Sequence, residues 1–157
     1  FSGYYNPFTG EAQVNTTVPT VLKPFISCHE IAHQLGYASE SEANFVGYLA
    51  AIHSNNQAVQ YSAYLEMFLY ANRNYFHCDS TAAGKYRQAL SPAVQSDIRE
   101  IIRFNKAHES ILEPLFTTMF DLLLKSQQQK QGVLSYHEVV GLVIAFDKSK
   151  FKSNSNE

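Results

Sequence analysis

A mainly helical domain fronted by one short β-hairpin, α+β with the helices dominant, is what the sequence predicts. Apolar residues recur at spacings of three and four in most segments after about residue 19, the period of helices with one buried face. Alternation with period two is confined to the first seventeen residues. With 157 residues and 45% apolar content, the chain can bury one core without disulfide staples. The expected organisation is a single domain over 1–147. A charged, serine- and asparagine-rich tail over 148–157 reads as disordered.

The hairpin is expected over about 1–17. Tyr4-Tyr5 and Ala12-Gln13-Val14-Asn15-Thr16 flank Asn6-Pro7-Phe8-Thr9-Gly10, a turn cluster closed by glycine. Ala12, Val14 and Thr16 alternate with polar Gln13 and Asn15, as in a half-buried strand. Such a strand either covers the core or holds an extended peptide at its edge.

Pro19 and Pro24 bracket the entry to the first helix, since proline suits a first helical turn. The helix carries Cys28-His29-Glu30-Ile31-Ala32-His33-Gln34-Leu35 and ends at about Gly36. His29 and His33, four residues apart, place both imidazoles on one helix face, one turn from each other. Two neutral imidazoles at that spacing can share a zinc ion, and Glu30 beside them can take a proton from the attacking water. This His-Glu-x-x-His helix makes the predicted fold zincin-like. The plainer alternative is two surface histidines on an ordinary helix.

A second helix is expected from Ser39 to about His53. A catalytic zinc held by two histidines needs a third protein ligand. Glu42 shares a stripe with Phe45, Val46 and Leu49 and is the first choice, because an inward carboxylate demands a partner. Glu40 and His53 are the alternatives. Ser39-Glu40-Ser41-Glu42 is also a capping box, in which Glu42 would only cap the helix. Ala43, Gly47, Ala50 and Ala51 are small enough to let two helices approach closely.

A third helix follows the Asn55-Asn56 turn and runs to about Tyr75, with Tyr61, Tyr64, Leu65, Phe68 and Leu69 as its apolar stripe. His77 and Cys78 fall at its end, before a loop expected over 79–84. Ser91-Pro92 starts a long helix, serine as cap and proline in the first turn. It is lined by Val94, Ile98, Ile101, Ile102, Ile111 and Leu112, with His108 on the stripe, and Pro114 should interrupt it. A further helix is expected over 115–125, a glutamine-rich loop over 126–132, and a last helix from the capping box Ser135-Tyr136-His137-Glu138 to about Phe146.

Most of the chain resembles a family of bacterial proteins of unassigned function that join N-terminal membrane helices to an extracytoplasmic His-Glu-x-x-His domain. The residues that carry the resemblance are Tyr5 to Ala12, Cys28 to Gly36 and Glu42 to Ala50, with two later runs, Tyr61 to Leu65 and Gly132 to Tyr136. It implies a zinc metallopeptidase anchored in the membrane through a segment absent from this chain. Glu42-Ala43-Asn44 is also similar to the ImmA/IrrE-type peptidases, where the glutamate completes the zinc site.

Net charge is −2, and no block of like charges precedes the tail, so nothing suggests a nucleic-acid surface. Two cysteines are too few for a disulfide framework, and Cys28 lies inside the zinc helix, so both are expected as free thiols. There is no signal peptide and no apolar run of transmembrane length. The abrupt start at Phe1 reads as a fragment of something longer, soluble by itself.

The expected function is hydrolysis of peptide bonds in a peptide or protein substrate, with zinc as cofactor. His29, His33 and Glu42 would hold the ion and Glu30 would act as general base. A donor to the developing oxyanion is also needed, with Tyr136 the leading candidate, followed by His137, Tyr61, His53 and His108. Two other readings are a metal-bearing domain without turnover, serving as a sensor or interaction module, and a zinc hydrolase of a non-peptide substrate.

Overall fold

The computed structural model describes residues 2–6, 9–108 and 135–154, the last segment with side chains over 138–149. Strands β1 (Gly3–Asn6) and β2 (Glu11–Val14) form an antiparallel hairpin in the register Gly3↔Val14 to Asn6↔Glu11. Glu11 and Gln13 are exposed while Ala12 and Val14 are half-buried, as period-two alternation requires. The expectations on Pro7 and Phe8 lie outside the described residues, and Gly10 closes the turn at φ +70°.

Helix α1 spans Lys23–Gln34. Pro24 sits in its first turn, where no backbone N–H is missed, and Pro19 stands outside it. The first-turn N–H of Phe25 donates instead to Ser62 Oγ at 3.1 Å, a fully buried hydroxyl on a later helix, which ties the two helices together. The end of α1 is a Schellman turn. Tyr37 N–H reaches the Ala32 carbonyl (3.2 Å), Gly36 N–H reaches that of His33 (3.0 Å), and Gly36 takes φ +103°. The chain therefore reverses within a few residues and enters α2 (Glu40–Ile52) after Ser39. Ser39 occupies the cap position without a capping bond, and its hydroxyl pairs with Ser41 Oγ at 2.9 Å.

Helix α3 covers Gln57–Cys78, capped by Asn56, whose Oδ1 accepts from Ala58 N–H at 2.9 Å. Residues 79–84, expected as a loop, are mostly helix. Asp79 caps α4 (Ser80–Gln88) by accepting from Ala82 N–H at 2.9 Å. Helix α5 runs Pro92–His108 with Ser91 as its cap, 3.4 Å from Val94 N–H. The expectations for Ile111 to Gly132 lie outside the described residues. The last helix, α6 (Ser135–Asn154), continues well past Phe146 into the stretch expected to be a disordered tail.

Among the described residues two apolar clusters hold these elements. Val18, Leu22, Ile26, Leu65, Ile98 and Ile101 join α1, α3 and α5, with Val14 of the hairpin against them. Phe25, Tyr48, Ala51, Ala63, Met67 and Val139 join α1, α2, α3 and α6. Helices α1 and α2 approach closely at Gly47, where an added Cβ would come within 3.1–3.2 Å of the Cys28–His29 backbone. Cys28 and Cys78 are free thiols, and burial pushes that of Cys28 up. Among the described residues no helix is long and apolar enough to cross a membrane.

Candidate metal centre

The four-residue spacing on α1 brings His29 and His33 together as their sequence positions require. Their rings meet edge to face, with Nε2 atoms 3.1 Å apart and both side chains about 15% exposed. The carboxylate that joins them comes from the first residue of α2. Glu40 Oε2 lies 3.4 Å from His29 Nε2, and Glu40 Oε1 lies 3.5 Å from His33 Nε2. One ligand atom from each of these three residues falls within 4.8 Å of the others, close enough to hold a metal ion.

Glu42, the carboxylate expected there, is exposed and is not in the group. The reason is the face that α2 turns to α1. Its buried residues Ala43, Asn44, Gly47 and Ala51 lie on the same side as Glu40, whereas Glu42 is rotated about 200° from Glu40. The close helix contact runs along the small residues, and Phe45 and Leu49 pack at the edge of the second cluster.

The protonation of the pair follows from its surroundings. His33 Nδ1 faces the Tyr37 carbonyl at 2.7 Å, so Nδ1 must carry a proton and Nε2 is left to face the group. Burial alone would lower His33, but the hydrogen bond and charge of Glu40, the Tyr37 carbonyl and Glu30 together raise it. Burial likewise pushes Glu40 up, yet the two imidazoles outweigh it and hold its carboxyl well below the usual range. Its side chain is 56% exposed, so solvent screens part of this attraction.

Glu30 follows His29 directly, rotated about 100° around the helix from it, and is buried, at 5% exposure. Burial raises its pKa, partly countered by His29 and His33 and reinforced by Glu40. A buried carboxylate beside two imidazoles is a proton acceptor of more than ordinary strength.

Sequence reasoning passed over three participants. Tyr37 contributes only a backbone carbonyl, which no side-chain pattern announces. Glu66 on α3 is largely buried and raised by that burial, with Tyr70 hydrogen-bonded to it and Arg73 and His29 acting on it in the other direction. Its signal was a carboxylate inside the apolar run Tyr61 to Leu69. The third participant is Gly3, whose backbone rests on Glu30. Within the histidine pair itself, His29 Nδ1 is buried without a hydrogen-bond partner among the described residues.

The other candidates whose side chains are described make their contacts outside this group. Tyr61 donates to Asp97 Oδ2 at 2.6 Å and, with burial, is pushed up to about 12, a tie between α3 and α5. His53 and His108 are exposed, with Nδ1 on the carbonyls of Leu49 (2.7 Å) and Phe104 (2.8 Å). His77 and Cys78 are exposed at the end of α3. Tyr136 and His137 stand in the first turn of α6, their side chains outside the described residues.

The sequence profile of a family described as "Protein of unknown function (DUF3810)" matches residues 1–144. No curated protein and no solved structure matches the chain.

Proposed function

The chain belongs to that family, and within it we propose a zinc-dependent metallopeptidase whose ion is held by His29, His33 and Glu40. The observation that carries this reading is the donor set. Two atoms bonded at 2.0–2.1 Å to a tetrahedral zinc lie about 3.3 Å apart. Here the two Nε2 atoms are 3.1 Å apart, and each meets its own oxygen of Glu40, Oε2 at 3.4 Å from His29 and Oε1 at 3.5 Å from His33. Two imidazoles and one carboxylate are also the ligand types zinc takes in hydrolytic sites, where a fourth position stays open. Tyr37 holds His33 in the tautomer that leaves Nε2 available.

A zinc ion bound there would act as a Lewis acid and make water acidic enough to attack a carbonyl at neutral pH. Glu30 accepts the proton of the attacking water and passes it to the leaving amine. Burial suits it to both steps, because a carboxylate raised by desolvation takes a proton more readily than an ordinary one and can still give it up. A peptide or protein is the proposed substrate. Anchoring to a membrane through a segment outside this chain, and Tyr136 as donor to the oxyanion, belong to the same proposal.

Zinc loading followed by elemental analysis should find about one zinc per chain, and none in the His29→Ala/His33→Ala double variant. In a peptide-library digest, Glu30→Gln should keep its zinc and lose turnover by roughly a hundredfold or more. An equally active Glu30→Gln variant would remove Glu30 from the mechanism. A wild type that binds zinc and cuts no peptide would leave a metal-binding domain without this activity.

A further inference from the structure

Glycine in a strand weakens it, so a glycine there needs a reason. At Gly3 the reason is not backbone conformation, because positive φ is confined to Gly10 and Gly36 among the described glycines. The reason is space. A Cβ on Gly3 would stand 2.7 Å from Cγ and Cδ of Glu30 and closer still to Oε1, far inside van der Waals contact. The Glu30 side chain fills the room that any other residue at position 3 would need.

Neither backbone is free to retreat. Strand β1 is fixed by its register with β2, by the Asn15 N–H bond to the Ser2 carbonyl at 2.9 Å, and through Val14 by the first apolar cluster. The hairpin tip is tied to α1 by Gln34 Nε2, which donates to the Gly10 carbonyl at 2.7 Å. Helix α1 is held from behind by the close approach of α2 at Gly47. The group that can yield is the flexible Glu30 side chain, and the collision drives it away from the strand.

We propose that Gly3 is a positioning residue for Glu30: the bare backbone of β1 is the wall against which the proton-accepting carboxylate is set beside the histidine pair. This rests on the metallopeptidase reading for the meaning of that position, while the contact itself does not. Gly3 touches neither metal nor substrate and acts only through Glu30.

The test is a double-mutant cycle on the full 157-residue chain, with Gly3→Ala made in the wild type and in Glu30→Ala. Melting temperature reads the contact without any substrate. Gly3→Ala should lower Tm by about 3 °C or more in the wild type and by nothing in Glu30→Ala, where the colliding atoms are gone. If Gly3→Ala alone fails to fold, recovery of folding in the double variant demonstrates the same collision. Equal losses in both backgrounds would overturn the proposal.

The functional arm uses the zinc-loaded chain and the peptide-library digest. Gly3→Ala should keep its zinc and its KM and lose kcat about a hundredfold, with no further loss when combined with Glu30→Gln. Full turnover in Gly3→Ala beside an inactive Glu30→Gln would overturn the positioning role alone. A wild type that cuts nothing would overturn the metallopeptidase reading and the positioning role with it.

Discussion

Glu40 and Glu42 share a helix and a chemistry, yet only one meets the imidazoles. Glu40→Gln should weaken zinc binding by tenfold or more, whereas Glu42→Gln should leave it within a factor of about two. Competition against a chromophoric chelator measures both. Titration gives a second handle. In the metal-free chain His33 lies above its ordinary 6.5 and Glu40 below its ordinary 4.5. A raised histidine contributes stability that is complete below 6.5 and is lost as pH rises through its folded value. A lowered carboxylate contributes stability that is complete above 4.5 and is lost as pH falls through its folded value. The pair therefore supports the metal-free fold best between pH 4.5 and 6.5. Zinc needs its imidazole ligands deprotonated, so its own stabilising effect should be weakest in acid and grow as pH rises through the raised folded value of His33. Melting curves with zinc and with a chelator across that range check the sign. At this scale the His29–His33 pairing was legible, because a four-residue spacing on a helix fixes it by geometry. The Tyr37 carbonyl was not, since any residue carries one.

At the scale of elements, the lesson lies on α2. The large apolar residues Phe45, Val46 and Leu49 suggested an inward face that would carry Glu42 with it. The contact with α1 instead follows Ala43, Gly47 and Ala51, which are small because two helix backbones meet there. Small residues at a spacing of four were the better signal, and they point to Glu40. Gly47→Ala should test this contact. Its Cβ meets rigid backbone at 3.1–3.2 Å, so the substitution should destabilise by about 1–3 kcal/mol despite the better helix propensity of alanine. It should also weaken zinc binding, because α2 carries Glu40 away from His29. Helix α4 was missed for a different reason. Asp79 is a good cap, but the segment behind it is short, polar and interrupted by Gly84, so it shows little apolar period. Asp79→Ala should cost about 1 kcal/mol, read from urea unfolding. The end of α6 was hidden likewise, since Asp147, Lys148 and Ser149 are polar and exposed and carry no hydrophobic period.

Across the whole molecule, the mainly helical class and its N-terminal hairpin were legible because two different periods divide the chain at about residue 19. What the pattern could not supply was which helices meet, and among the described residues that is decided by two apolar clusters. Zinc should stabilise the folded chain in proportion to the logarithm of free metal, about 2.7 kcal/mol at a hundred times Kd. The His29→Ala/His33→Ala variant should show no such dependence. The donor set has one further property. His29, His33 and Glu40 lie on a single helix–turn–helix unit, so gathering them closes a loop of only about eleven residues. Contacts so local cost little chain entropy and can form before the hairpin and α5 dock. Zinc present at the start of refolding should therefore lower the climb to the transition state and raise the folding rate, not merely slow unfolding. Stopped-flow chevrons with and without zinc would show the gain on the refolding arm.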